Sequence, residues 1–146
     1  MARLDELLSD YGSHHRTRGN LVCHAFGITL ILYGVVSFLC LIPIPVGRWT
    51  GAEVAIVALV LFYLRLNAAL ALTMLAELTL FDLLARAVDD WRIGAVAFVL
   101  GWVFQAVGHA RFEKNKPAFF KNLVHLFVGP VFLWNELLRL RPVARP

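Results

Sequence analysis

Five apolar runs, at about 20–42, 51–64, 67–84, 93–109 and 119–138, leave this chain little choice of fold. Inside lipid no water satisfies backbone N–H and C=O groups, so a spanning segment must bond to itself. The expected fold class is therefore all-α: a polytopic transmembrane helix bundle of four to five spans, forming one membrane domain over residues 1–146. Composition agrees, with 60% apolar and only 16% charged residues, where a soluble domain carries roughly 25% charged.

The span boundaries follow from length and punctuation. The first run ends at Pro43-Ile44-Pro45, and Thr50 with Glu53 forms a plausible capping box for the next helix. As one helix, 51–84 would be roughly 50 Å long, against a hydrocarbon core of about 30 Å. A break near Arg65–Asn67 is expected, although neither Gly nor Pro marks it. Gly129-Pro130 should kink the last run or make it re-entrant. Residues 1–19 have no apolar core of a cleavable signal, and Leu4, Leu7, Leu8 and Tyr11 have the spacing of a short amphipathic helix on the membrane surface or packed beneath the bundle. Cys23 and Cys40 fall roughly 25 Å apart along one helix, which rules out a disulfide between them.

A net charge of +4 would suggest nucleic acid in a soluble chain. Here Arg3, Arg16, Arg18, Arg65, Arg111, Lys114, Lys116 and Lys121 gather on one side of the spans, where they meet anionic lipid heads, and no nucleic-acid partner is expected. The opposite loops carry Arg48, Arg86 and Arg92 against Asp89 and Asp90, with Trp49 and Trp91 at interfacial positions. The positive-inside rule makes the N-terminus and the 110–121 loop cytoplasmic. An Arg-rich, Ala/Leu-rich chain of this kind suits a bacterial inner membrane, or the endoplasmic reticulum if eukaryotic.

This orientation brings all five histidines to one bilayer face. His14, His15, Asn20 and His24 cluster at the start of the first span. Gln105, His109 and Glu113 recur every four residues at the end of the fourth, and His125 opens the last run. A lone buried histidine is more often a hydrogen-bonded core residue than a ligand. Two clusters meeting at one depth favour a metal site near the cytoplasmic face instead. His14 and His15 cannot easily both point inward, and spacing to Asn20 favours His15. Glu113 has the plainer option of pairing with Arg111 or Lys116, and Glu77 and Asp82 that of being solvated helix-end groups. Asn20 and Gln105 suit orienting a ligand better than binding a metal. Several neutral imidazoles accept zinc, copper or iron. Five histidines are too few for a desaturase-type di-iron site, and no phosphate loop, nucleophile elbow or CxxC pair is present.

The residues His15, Asn20 and His24 in H-x4-N-x3-H, the stretch GHxxFEKNxPA from Gly108 to Ala118, and NLVHLFVGPVFLWNE together resemble the membrane 2-hydroxy fatty acid dioxygenases. That family was long catalogued as a domain of unknown function, and its fungal members act in phytosphingosine breakdown. The resemblance runs almost end to end. It implies an Fe(II)-dependent enzyme that uses dioxygen to remove C1 from a 2-hydroxy fatty acid, leaving an acid one carbon shorter. It also implies His15, His24 and His109 as iron ligands; His125, a fourth candidate, departs from the family pattern. Glu113, Asn20 and Gln105 are then candidates for catalytic support. Arg16, Arg18, Arg111, Lys114, Asn115 and Lys116 would draw the anionic head of the substrate to the interface while its acyl chain stays in lipid. Two other readings remain at this point: a non-enzymatic membrane lipid- or metal-binding module, and a small b-type haem electron carrier.

Overall fold

The computed structural model describes residues 2–13, 15, 17–113 and 125–138. Among them the protein is all-α, with six α-helices: α1 (Ala2–Ser13), α2 (Arg18–Leu39), α3 (Gly51–Leu64), α4 (Ala68–Val88), α5 (Trp91–Val107) and α6 (His125–Leu138). A π-helical turn, Gly108–Glu113, continues α5. Three helical stretches are long and apolar enough to cross a membrane: α2, α4, and α5 with its π-helical extension. α3 and the apolar part of α6 are shorter. The helix ends have identifiable causes. Thr50 and Glu53 form the capping box that starts α3, and Asn67 caps α4 by accepting from the Leu70 amide at 3.1 Å. Arg65–Asn67 thus separates α3 from α4 through a polar cap, without Gly or Pro.

The chain divides into two compact units, Met1–Ile28 with Trp102–Pro146, and Thr29–Gly101. In the first unit α1 packs on α6. Leu4, Leu8 and Tyr11 are buried, as the amphipathic spacing requires, and the Tyr11 ring lies 4.9 Å from Phe132. α6 continues through Pro130, so Gly129-Pro130 does not end the helix. A side chain at Gly129 would instead meet the Tyr11 hydroxyl and Ile28.

In the second unit the α2 and α5 segments touch through small residues. A Cβ on Gly34 would overlap the Gly94 carbonyl, and one on Gly94 would overlap Ser37. α4 carries a polar group against expectation. Asp82 is buried and not a solvated helix-end residue. Arg86, one turn later, donates from Nε to both its carboxylate oxygens at 3.1 Å, the Cys40 thiol donates to Oδ1 at 3.3 Å, and Arg86 Nη2 reaches Glu53 and Thr50. An acid in an apolar segment is tolerated only when so compensated. Both cysteines are free. Large apolar side chains such as Val54, Leu61, Leu72, Leu83, Val96 and Val103 remain exposed around these helices, the pattern of a surface solvated by lipid.

Candidate metal centre

His15 sits in the turn that follows α1, where its amide donates to the Gly12 carbonyl at 3.1 Å. Thr17 then starts α2, its hydroxyl accepting from the Asn20 amide at 3.3 Å. This tight connection folds the His15 ring over the first turns of α2. There Asn20 and His24, four residues apart, share a buried face. His109 arrives on the π-helical turn. Such turns carry one extra residue per hydrogen-bonded ring and recur at functional sites.

The three imidazoles meet. His15, His24 and His109 are 1%, 2% and 2% exposed, and one ring nitrogen from each lies within 4.8 Å of the others. Their ring centroids are separated by 4.3, 5.0 and 4.8 Å, each pair edge-on. The backbone decides which nitrogens are available. His15 Nδ1 lies 2.7 Å from the Tyr11 carbonyl and His24 Nδ1 lies 2.9 Å from the Asn20 carbonyl. A carbonyl oxygen only accepts, so both Nδ1 atoms carry the proton and both Nε2 atoms carry a lone pair.

Those two lone-pair nitrogens lie 3.0 Å apart. With neutral rings there is no proton between them, so the contact is unfavourable unless a cation joins it. Two ligand nitrogens each about 2.1 Å from one ion, at roughly 90–110°, fall about 3.0–3.4 Å apart. The spacing of the His15–His24 pair therefore fits a transition metal, and the cluster offers three nitrogen donors screened from water, two of them already oriented by the carbonyl partners that ligating histidines usually have.

The surroundings hold this arrangement. Glu113 Oε1 accepts from the Thr17 amide at 2.8 Å, the Thr17 hydroxyl at 3.0 Å and Asn20 Nδ2 at 3.4 Å. One carboxylate thus ties the end of the π-helical turn to the start of α2. Asn20 Oδ1 is buried with no hydrogen-bond partner among the described residues. Two glycines permit the close approach. A Cβ on Gly108 would meet Asn20 Oδ1, Cys23 Cβ and His24 Nδ1, and one on Gly19 would meet the Phe112 ring. Tyr11 stacks on His15, centroids 4.0 Å apart and planes within 8°. Burial raises the Tyr11 pKa above its ordinary value, so it stays a neutral phenol beside the imidazoles.

Of the residues expected at the site, His15, His24, His109, Asn20 and Glu113 come together. Glu113 turns to Thr17 and Asn20, partners that the sequence reading did not name. Gln105 is buried on α5, with no hydrogen bond to the cluster. Arg18 and Arg111 are exposed. His14, Arg16, Lys114, Asn115 and Lys116 lie outside the described residues, as does the side chain of His125. Tyr11, Thr17 and Phe132 were missed. Thr17 had a legible signal, a hydroxyl three residues before Asn20 at a helix start; Tyr11 had only its place on an apolar stripe.

Comparison with known proteins gives these residues a context. A family model described as 2-hydroxy-palmitic acid dioxygenase Mpo1-like matches residues 1–140. The 2-hydroxy-palmitic acid dioxygenase MPO1 of Saccharomyces cerevisiae is 32% identical over 126 residues, which is 85% of this chain and 59% of that protein. The chain thus spans about six-tenths of the length of that relative. No solved structure matches. With a match over nearly its whole length and buried histidines from both ends of that match gathered at one point, the chain belongs to the Mpo1-like 2-hydroxy-palmitic acid dioxygenase family.

Proposed function

We propose that the protein is an integral membrane Fe(II)-dependent dioxygenase that removes C1 from a 2-hydroxy fatty acid and yields an acid one carbon shorter. The observation that carries this reading is the pair of facing Nε2 lone pairs of His15 and His24, 3.0 Å apart beside His109 in a buried cluster. His15, His24 and His109 are the proposed iron ligands, and His125, at the start of α6, is the proposed fourth. Bound Fe(II) would supply a Lewis-acid centre with open positions for substrate and dioxygen.

The residues around it then have separable tasks. Imidazoles are neutral donors, so the site keeps the positive charge of its ion and suits an anionic chelator such as the carboxylate and hydroxyl of a 2-hydroxy acid. Glu113 is spent on Thr17 and Asn20, which makes it a positioning residue and not a free base. Asn20 Oδ1 is the buried acceptor left for a donor on the bound ligand. Gln105 supports the His109 side of the site. Arg16, Arg18, Arg111, Lys114, Asn115 and Lys116 draw the acid head to the cytoplasmic interface. The acyl chain remains among apolar helix faces, which is a reason for such an enzyme to live in a membrane. α3 and α6 would add short crossings to the three long ones.

The test is elemental analysis of the purified protein, followed by aerobic and anaerobic incubation with 2-hydroxypalmitate. Expected are bound iron, oxygen uptake and a C15 acid formed only in air, with His24→Ala and His109→Ala losing both iron and turnover. Bound metal without oxygen uptake would make the protein a binding module. A Soret band would make it a haem protein.

A further inference from the structure

The second unit holds a cavity of about 570 Å³ whose walls include Cys40, Arg48, Arg86, Asp89, Asp90 and Trp91. It opens where α2 and α4 end and α5 begins. In a membrane-spanning chain that is headgroup depth, and the half-exposed Trp49 and Trp91 are the residues expected there.

The charges on these walls are uncommitted in a particular way. Arg86 spends Nε and Nη2 on Asp82, Thr50 and Glu53, leaving Nη1 without a partner among the described residues. Arg48 makes no hydrogen bond or ion pair among them. On the acidic side Asp90 spends Oδ1 on the Arg92 amide, which leaves Oδ2, and the Asp89 carboxylate has no partner among the described residues.

Asp89 is costly where it stands. It takes the left-handed conformation, φ 50 and ψ 32, at the C-terminal cap of α4, a position at which glycine is unstrained. It is the one non-glycine residue with positive φ among the described residues. Its negative charge also sits at the negative end of the α4 dipole. Aspartate is one of the few non-glycine residues that take this conformation readily, so it is the carboxylate at the negative helix end that a cation would favour.

We propose that this cavity binds a phosphoethanolamine group, the headgroup of an aminophospholipid. Asp89 and Asp90 Oδ2 take the primary ammonium, and Arg48 with Arg86 Nη1 takes the phosphate. The acyl chains leave along Leu41, Ile42, Leu84 and Val88, which are all exposed apolar residues at the same helix ends. A choline headgroup cannot donate hydrogen bonds to the carboxylates, and a glycerol headgroup brings no cation. The inference rests on the membrane reading given above and not on the chemistry of the histidines.

The experiment is lipid retention. The full chain is reconstituted in vesicles of equal phosphatidylethanolamine and phosphatidylcholine, extracted in mild detergent, and its co-purifying lipid measured by mass spectrometry. Phosphatidylethanolamine should be enriched at least fivefold, and Arg48→Gln and Asp89→Asn should each remove the enrichment. Asp89→Gly separates binding from folding: it relieves the left-handed backbone, so thermal stability without added lipid should hold or rise while enrichment is lost. Free phosphoethanolamine at millimolar concentration identifies the source. Failure to displace the lipid assigns the site to the membrane; full displacement assigns the recognition to the headgroup alone. Equal retention of the two lipids, or unchanged enrichment in all three variants, overturns the proposal. A chain that stays soluble without detergent overturns this inference together with the membrane reading, whereas oxygen uptake bears on neither result.

Discussion

The carboxylate of Glu113 accepts hydrogen bonds from both the amide and the hydroxyl of Thr17, a residue 96 positions earlier in the chain. This pairing closes the turn carrying His15 onto the helical turn carrying His109. Glu113→Ala removes the acceptor of three donors, the Thr17 amide and hydroxyl and Asn20 Nδ2, and loosens both ligands. Metal affinity should fall about 10–100-fold, the usual effect of removing a partner that orients a metal site. Glu113→Gln keeps an accepting oxygen and should lose less than about tenfold. Metal titration of the purified variants measures both, and equal loss in the two would show the charge, not the acceptor, to matter.

Gly108→Ala should be more damaging than its size suggests. The new methyl would overlap Asn20 Oδ1 and Cys23 Cβ and would touch His24 Nδ1, and the asparagine and histidine belong to the polar face that forms the site. Overpacking of this kind costs about 1–3 kcal/mol. Bound metal should fall with melting temperature, in contrast to Ala substitution at exposed positions on the same helix. Full metal content would show that the approach of α2 to the π-helical turn is looser than described.

Replacement of Tyr11 tests whether the α1 segment supports the centre through its ring. Tyr11→Phe preserves the stack on His15 and should retain metal. Tyr11→Ala empties a buried site, costs about 3–5 kcal/mol and should lower metal occupancy. A phenylalanine variant as poor as the alanine one would assign the role to the hydroxyl.

Metal retention should depend on pH in one direction. Each imidazole binds only when its lone pair is free, so protons compete and affinity falls as pH falls. Dialysis into progressively more acidic buffer should therefore strip metal that survives at about pH 8. Removal should lower the melting temperature, because a ligand that binds only the folded state stabilises it. Restoring pH and Fe(II) together should restore it. Acid-resistant occupancy would argue for carboxylate or thiolate ligands in place of imidazole.

Arg86→Met strands the buried Asp82 carboxylate. Loss of one partner from a buried ion pair costs about 3–5 kcal/mol. Arg86 is itself 38% exposed, so about 2 kcal/mol is the better expectation. Thermal denaturation should show the loss, and Asp82→Asn in the same chain should return most of it. A double variant no better than Arg86→Met would place the contribution of Arg86 with Glu53 and Thr50.

Helices and their order were legible because apolar runs and caps act locally. Thr50 with Glu53 announced α3, and the length limit on 51–84 required the break that Asn67 caps. The histidine triad was legible for a different reason: ends of apolar runs that share a bilayer face bring their polar residues to one depth. What stayed hidden depends on partners distant in sequence. Asp82 read as a helix-end acid because nothing local shows Cys40 or Glu53 beside it, although Arg86 at i+4 was a usable hint. The widened turn at Gly108–Glu113 has no sequence signature, and that turn carries His109 and Glu113 to their contacts with the other helix.

The spacing of the three imidazoles also sets an order of events during synthesis. The first two emerge from the ribosome early, and the third follows only after most of the hydrophobic helices have been made. Until then the nascent protein has only two of the three clustered imidazoles. On the proposed function, loading with metal is a late step of biogenesis, and a polypeptide halted before Gly108 should reach the bilayer yet stay metal-free.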